Sequence, residues 1–449
     1  MRTLAIVAGL FALLAAVLAG DDDDPFAPTR LRTVSGGRAD PDAFFEALDC
    51  AECHKDQYEQ WKGSVHSRAH NDSIYLAFAR RAREEGGEAM YRFCSGCHAP
   101  LAVATGEIPG GEPTFLTDEG VTCDACHTVK GVGEVHAGGG GNASLLLDDG
   151  ETRYGPFADA SPNPIHPSAA SGVHDKAEFC SACHTLVHPH NGLVIENTYE
   201  EWRKGPYAAA GIRCQDCHMR TVEQAIEVAR TMKPLRVPGK TTVDLEPRPN
   251  VYAHLFTGAN VNAELTGASA HHAAEAEKRL KSAAVVELGL PEAAAPGTEV
   301  SLEVRVTNVG AGHAIPTSIT ELRQVWIDLR VTDAAGGEVF RSGAIDADGR
   351  VDPGAVMYHA VLVDEKGEVT YLPWRAARMV KEKLIPPKET VVERFAVPLP
   401  EGVRGPLAVR AVLRYRSAPQ DVMDELFGKG KYPIRIVDMA EAEGALTVR

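Results

Sequence analysis

Cys50-Ala-Glu-Cys53-His54 is the first of five pentapeptides built to one pattern. The others are Cys94-Ser-Gly-Cys97-His98, Cys123-Asp-Ala-Cys126-His127, Cys180-Ser-Ala-Cys183-His184 and Cys214-Gln-Asp-Cys217-His218. Each is C-x-x-C-H, and together they use all ten cysteines of the 449-residue chain. The spacing suits attachment of c-type haem. Two thiols so placed can add to the two vinyl groups on one porphyrin edge, and the adjacent histidine then falls under the iron as proximal ligand. A zinc site would need two cysteine pairs close together, and a redox pair normally occurs once beside a strand and helix. Neither explains a histidine after every pair. The expectation is five covalently bound haem c groups, with His54, His98, His127, His184 and His218 as proximal ligands.

Motif starts at residues 50, 94, 123, 180 and 214 leave few residues per haem. A conventional core cannot be built from so little chain, so the porphyrins themselves must supply much of the apolar interior. That predicts irregular backbone with short helices, at Lys55–Arg68, Ser73–Glu85 and Tyr199–Arg203. Gly138 to Gly141 with Pro162, Pro164 and Pro167 mark turns.

Outward from the motifs, Met1-Arg2 and the apolar run Leu4 to Gly20 read as a secretory signal peptide, residues 1–20. Export agrees with haem attachment outside the cytoplasm, so the expected location is periplasmic or extracellular. No integral membrane span is expected after signal cleavage. Residues 21–48 read as a linker becoming helical near Pro41 to Leu48, and residues 49–280 as the pentahaem domain, its end a connecting helix over Ala263 to Leu280. From residue 281 to 449 the hydrophobic period becomes two. Val300 to Val306, Val325 to Val331, Val391 to Val397 and Leu407 to Tyr415 alternate. Roughly seven strands are expected, in an immunoglobulin-like β-sandwich. The fold class is therefore an α-helical, irregular multihaem cytochrome domain followed by an all-β sandwich.

The formal net charge is −16. It argues against nucleic acid as a partner and favours basic redox partner proteins.

Seventeen histidines leave twelve beyond the proximal five. An iron with two imidazoles is saturated and moves electrons, whereas an iron with an open position can bind a small substrate. A histidine is more often a surface or core residue than a ligand. With five irons to serve, the preferred distal candidates are His66, His136, His166, His174, His254 and His313. His271 and His272 read as an exposed helical pair, and His359 as a strand residue. His70, His188 and His190 stand as acid-base groups for an open site.

Several of these stretches resemble a known family. Cys50 to His54 followed by Tyr58-Glu-Gln-Trp61-Lys-Gly-Ser64-Val-His66 is similar to the multihaem cytochromes related to hydroxylamine oxidoreductase and to its tetrahaem electron acceptor. The resemblance continues through Gly120-Val-Thr-Cys123, Tyr154-Gly-Pro-Phe157 and Asn197-Thr-Tyr-Glu-Glu-Trp202, over roughly residues 50 to 220. It implies closely packed haem pairs with distal histidines donated from elsewhere in the chain, and it points to His66. His254-Leu-Phe-Thr-Gly-Ala-Asn and Gly312-His313-Ala-Ile-Pro316-Thr317 resemble multihaem cytochromes with a β-sandwich tail. If His313 binds iron, the sandwich caps the haem domain. The catalytic relatives have eight haems and a cross-linked tyrosine, and ammonia-forming nitrite reductases have a C-x-x-C-K motif. This chain has neither eight motifs nor C-x-x-C-K. The function expected is electron transfer along mainly bis-histidine haems. The alternatives are an oxidoreductase acting on a small nitrogen or sulfur compound at one five-coordinate haem, and a subunit of a homo-oligomer, filament or other extracellular cytochrome assembly.

Overall fold

A computed structural model describes residues 24–133, 140–160 and 162–449. The signal peptide expected over residues 1–20 and the candidate His136 lie outside the described residues.

Each motif is one helical turn. His54 N donates to Cys50 O (2.8 Å), His184 N to Cys180 O (2.9 Å) and His218 N to Cys214 O (2.9 Å). One turn brings positions i, i+3 and i+4 to a common face, which is what two thiols and a ligand to the same group require. The turns end or begin short helices, including Ala47–Ala51, Cys123–His127 and Ala177–Ser181.

The second motif closes a longer helix, Ser73–His98, which starts where Asp72 accepts from Tyr75 N (2.8 Å). At Gly87, φ +69° and ψ −167° reverse the chain direction. The two halves fold back, so that Tyr75 stacks on His98 with ring centres 3.9 Å apart and its hydroxyl meets Ser95 Oγ at 3.0 Å. The helix expected over Lys55–Arg68 stops at Lys62, and a 3₁₀ turn His66–Arg68 follows.

The segment read as a linker is not one. Phe26 and Leu31 are fully buried with Leu101, Val103, Leu116 and Leu147, and Arg32–Thr33 pairs in parallel with Leu146 and Leu147. A few well-spaced apolar residues among polar ones suffice to anchor it, which a composition average does not detect. The connecting helix is two pieces, Ala263–Thr266 and Ala270–Ala283, broken at Gly267 (φ +69°).

That second helix runs directly into strand Ala284–Gly289. The alternating runs are strands Glu299–Asn308, Gln324–Thr332, Thr390–Pro398 and Leu407–Arg416. One sheet has three antiparallel strands, with Glu299–Asn308 between Thr390–Pro398 and Ala284–Gly289. The larger sheet is centred on Gln324–Thr332, Leu407–Arg416 and Val437–Val448. Val300, Leu302, Val304 and Val306 of the first meet Ile327, Leu329, Val331 and Leu413 of the second in one core, as alternate burial along each strand demands. Eleven strands follow Ala284 rather than seven, because short edge pieces such as Ala293–Ala294 and Val369–Thr370 lack a period-two signature.

The two halves are tied at many points. Asn262 Nδ2 donates to Ser417 Oγ (2.9 Å), Lys388 Nζ to Ala229 O (2.8 Å), and Thr317 Oγ1 to Glu201 Oε2 (2.7 Å).

Candidate haem-binding site

A single cavity of about 1840 Å³ connects all five motifs. Its lining contains all ten motif cysteines, the five motif histidines, and His66, His166, His174, His254 and His313. Aromatic and aliphatic side chains make up much of the rest, which suits a large flat apolar ligand.

Five half-buried imidazoles are oriented in one way. His54 Nδ1 donates to Thr241 O (2.6 Å), His98 Nδ1 to Ala69 O (2.7 Å), His127 Nδ1 to Tyr154 O (2.7 Å), His218 Nδ1 to Thr257 O (2.8 Å) and His313 Nδ1 to Ala314 O (2.9 Å). A carbonyl can only accept, so the proton is fixed on Nδ1 and the Nε2 lone pair is left free, the usual arrangement behind a metal-binding histidine. His184 instead has Glu196 Oε1 3.6 Å from its Nδ1. Burial holds His66, His218 and His254 down at about 3 and His98 at about 4. These imidazoles are therefore neutral at pH 7, as ligation requires.

Three motif histidines face a second imidazole. Metal–imidazole bonds are about 2 Å long, so two imidazoles on one metal put their ring centres roughly 6 Å apart. The observed separations are 6.3 Å for His184 and His66, 6.1 Å for His127 and His254, and 6.2 Å for His218 and His313. The residues present thus fit haem c, with thiols at its rim and imidazole pairs on either side.

The remaining candidates are placed differently. His174 stacks 5.7 Å from His127, but its Nε2 is directed at Cys126 O (3.0 Å). His166 sits at the cavity rim with Nδ1 3.2 Å from Pro167 O. Both nitrogens of His188 are engaged, Nε2 with Trp374 O and Nδ1 with the amides of His190 and Asn191. His272, read as exposed, is buried on the inner side of its helix, and its Nε2 has no hydrogen-bond partner. Among the described residues, no imidazole stands across from His54 or His98 at the paired spacing.

Contacts between thiols order the motifs in space. Cys50 and Cys123, Cys97 and Cys183, and Cys180 and Cys214 lie close enough to affect one another's ionisation, as do Cys126 and Cys183, and Cys97 Sγ is 3.9 Å from Cys183 O. Motif one therefore neighbours three, three neighbours four, four neighbours five, and motif two sits beside four. Sequence reasoning could not supply this order, because it depends on contacts between distant turns. It also missed Glu321, which lines the cavity with both carboxylate oxygens unpartnered.

Residues 49–128 match the family described as cytochrome c554 and c-prime. No curated protein matches the sequence. The fold is similar to the crystal structure of a penta-heme cytochrome c552 from Thermochromatium tepidum, at 23% identity and a TM-score of 0.64, covering 91% of this chain and 100% of that one. A CARDB domain from Pyrococcus furiosus, crystallised with di-metal ions, aligns at 12% identity over 37% of this chain and 87% of its own, with a TM-score of only 0.17. The N-terminal region thus matches a cytochrome family over residues 49–128, and the fold, with helices in its N-terminal region and sheets in its C-terminal one, is similar to that of a pentahaem cytochrome.

Proposed function

We propose that the chain is an exported pentahaem c-type cytochrome that transfers electrons. The observation that carries this reading is the set of three imidazole pairs at 6.1–6.3 Å inside one cavity shared by all five motifs. When bound, each haem supplies an Fe(III)/Fe(II) couple. The chain's own residues do the rest. His66, His254 and His313 would supply the second imidazole at the fourth, third and fifth motifs; of their partners, His127 and His218 are oriented by backbone carbonyls behind Nδ1, and His184 has the Glu196 carboxylate there. Paired imidazoles keep the potentials low relative to a methionine ligand. The thiol proximities connect all five motifs, with the second joining beside the fourth, which suits passage from one centre to the next. The net charge of −16 suits a basic redox partner.

A pyridine haemochrome assay should count five haems per chain. The carbon-monoxide difference spectrum of the reduced protein then reports open positions. His66→Ala, His254→Ala and His313→Ala should each add one carbon-monoxide-binding iron, and a spectrum unchanged by all three would overturn the ligand assignment.

One observation favours a second reading, an oxidoreductase site for a small nitrogen or sulfur compound. His98 is oriented for ligation, yet no imidazole faces it among the described residues. This site requires carbon-monoxide binding by the unaltered protein, and its absence would dismiss it.

A further inference from the structure

Glu321 lies on a loop of the sandwich and is 4% exposed. Neither carboxylate oxygen has a hydrogen-bond partner. Arg323 is near enough to favour the charged form of Glu321, but no hydrogen bond joins the two, and its Nη1 donates to Ser417 O (2.7 Å). A second carboxylate, Glu196, is close enough to disfavour the charge of Glu321 further. A buried carboxylate without a cation is among the costliest arrangements in a protein, and such groups are found paired or bound to metal. Glu321 borders the cavity, so its partner belongs there.

The surroundings indicate which motif. Ile319 and Leu322, flanking Glu321, pack in one cluster with Ile74 and Phe78. These two belong to the half-helix that also presents Tyr75 to the face of His98. Phe78 meets Trp374 edge-on at 6.3 Å, and Trp374 packs with Met90, Phe93 and Cys94 beside the second motif. The loop carrying Glu321 is thus seated on the wall of the second haem site. The other nearby titratable groups are placed differently, although His70 Nδ1 and Glu196 Oε1 are also buried without a hydrogen-bond partner. His188 has both nitrogens engaged. His70 adjoins Ala69, whose carbonyl backs His98 from the proximal side, and its Nε2 is 3.1 Å from Tyr91 Oη.

We propose that Glu321 is the sixth-position group of the second haem, a carboxylate from the sandwich in the role that imidazoles fill at the third, fourth and fifth motifs. The inference rests on the pentahaem reading. Ligation is by the carboxylate form, so the carboxyl releases its proton as the bond to iron forms. A hard oxygen donor suits ferric iron and holds it high-spin, whereas two imidazoles hold it low-spin. The sandwich would then close two sites, with Glu321 at the second motif and His313 at the fifth.

The test uses the full haem-loaded chain. The pyridine haemochrome count comes first: fewer than five haems would fail the pentahaem reading, and the spectra below would still decide the role of Glu321 on the haem that His98 binds. Ferric electron paramagnetic resonance of the unaltered protein should show a high-spin signal. Glu321→Gln keeps the shape but removes the anionic donor, and should shift that signal without changing the haem count. Glu321→His should convert the same iron to low-spin and abolish its carbon-monoxide binding after reduction. Spectra of both variants identical to the unaltered protein would overturn the proposal, as would a shift of the same signal by His136→Ala with none from Glu321→Gln. Far-ultraviolet circular dichroism checks that each variant is folded.

Discussion

His313 and Glu201 show how single residues couple the two halves. The carboxylate of Glu201 accepts from Ala314 N (3.0 Å) and Thr317 Oγ1 (2.7 Å), clamping the turn that presents His313. Burial outweighs these two bonds and raises its carboxyl from 4.5 to about 7. The folded state therefore holds a proton that the unfolded state has released, and stability falls as pH rises from about 4.5 to about 7. Glu201→Gln should flatten that part of the stability–pH curve, as read by chemical denaturation at several pH values; an unchanged slope would contradict the assignment. Legibility at this scale divides sharply. His66, His254 and His313 sit in short local patterns and could be singled out from the sequence, and each stands opposite a motif histidine. His174 could not be separated from His254 by pattern, because the difference is a side-chain direction. Glu321 has no local signature at all; only its burial without a partner distinguishes it from any other acid in a loop.

Among the elements, the helix Ser73–His98 depends most on one backbone angle. Gly87 combines φ +69° with an extended ψ, a region closed to side chains, although no atom lies within 4 Å of where a Cβ would sit. The cost of Gly87→Ala is therefore conformational, about 1–3 kcal/mol. It should appear both as a lower denaturation midpoint and as a perturbed second haem, since the fold-back holds Tyr75 against His98. Loss of stability without any spectral change would separate the two roles. The helix before the bend was legible from its period, and so were the four long strands. The bend was not, because two adjacent glycines do not say in which direction the chain turns. The buried N-terminal segment escaped notice for a related reason: its apolar residues follow neither helical nor strand spacing.

For the whole molecule, the cavity is the organising fact. The sandwich has its own core, yet it reaches the cavity through the loops around residues 312–323 and through Lys388. The helix Ala270–Ala283 continues into its first strand without a linker. Cooperative units follow buried contacts, so the haem-loaded protein should unfold in one calorimetric transition, and Haem-region absorbance and far-ultraviolet ellipticity should change together. Two resolved transitions would mean that the halves are independent.

The position of His313 also bears on the order in which the protein can be completed. A chain delivered from its N-terminus presents all five attachment motifs before strands Glu299–Asn308 and Gln324–Thr332 have emerged to flank the turn that carries this ligand. On the proposed ligand set, covalent maturation would precede closure, and the fifth iron would acquire its second imidazole only when the chain beyond residue 313 is in place. Its spin state would then be a built-in marker of a finished molecule, distinguishing a fully assembled chain from one that carries every cofactor but was cut short.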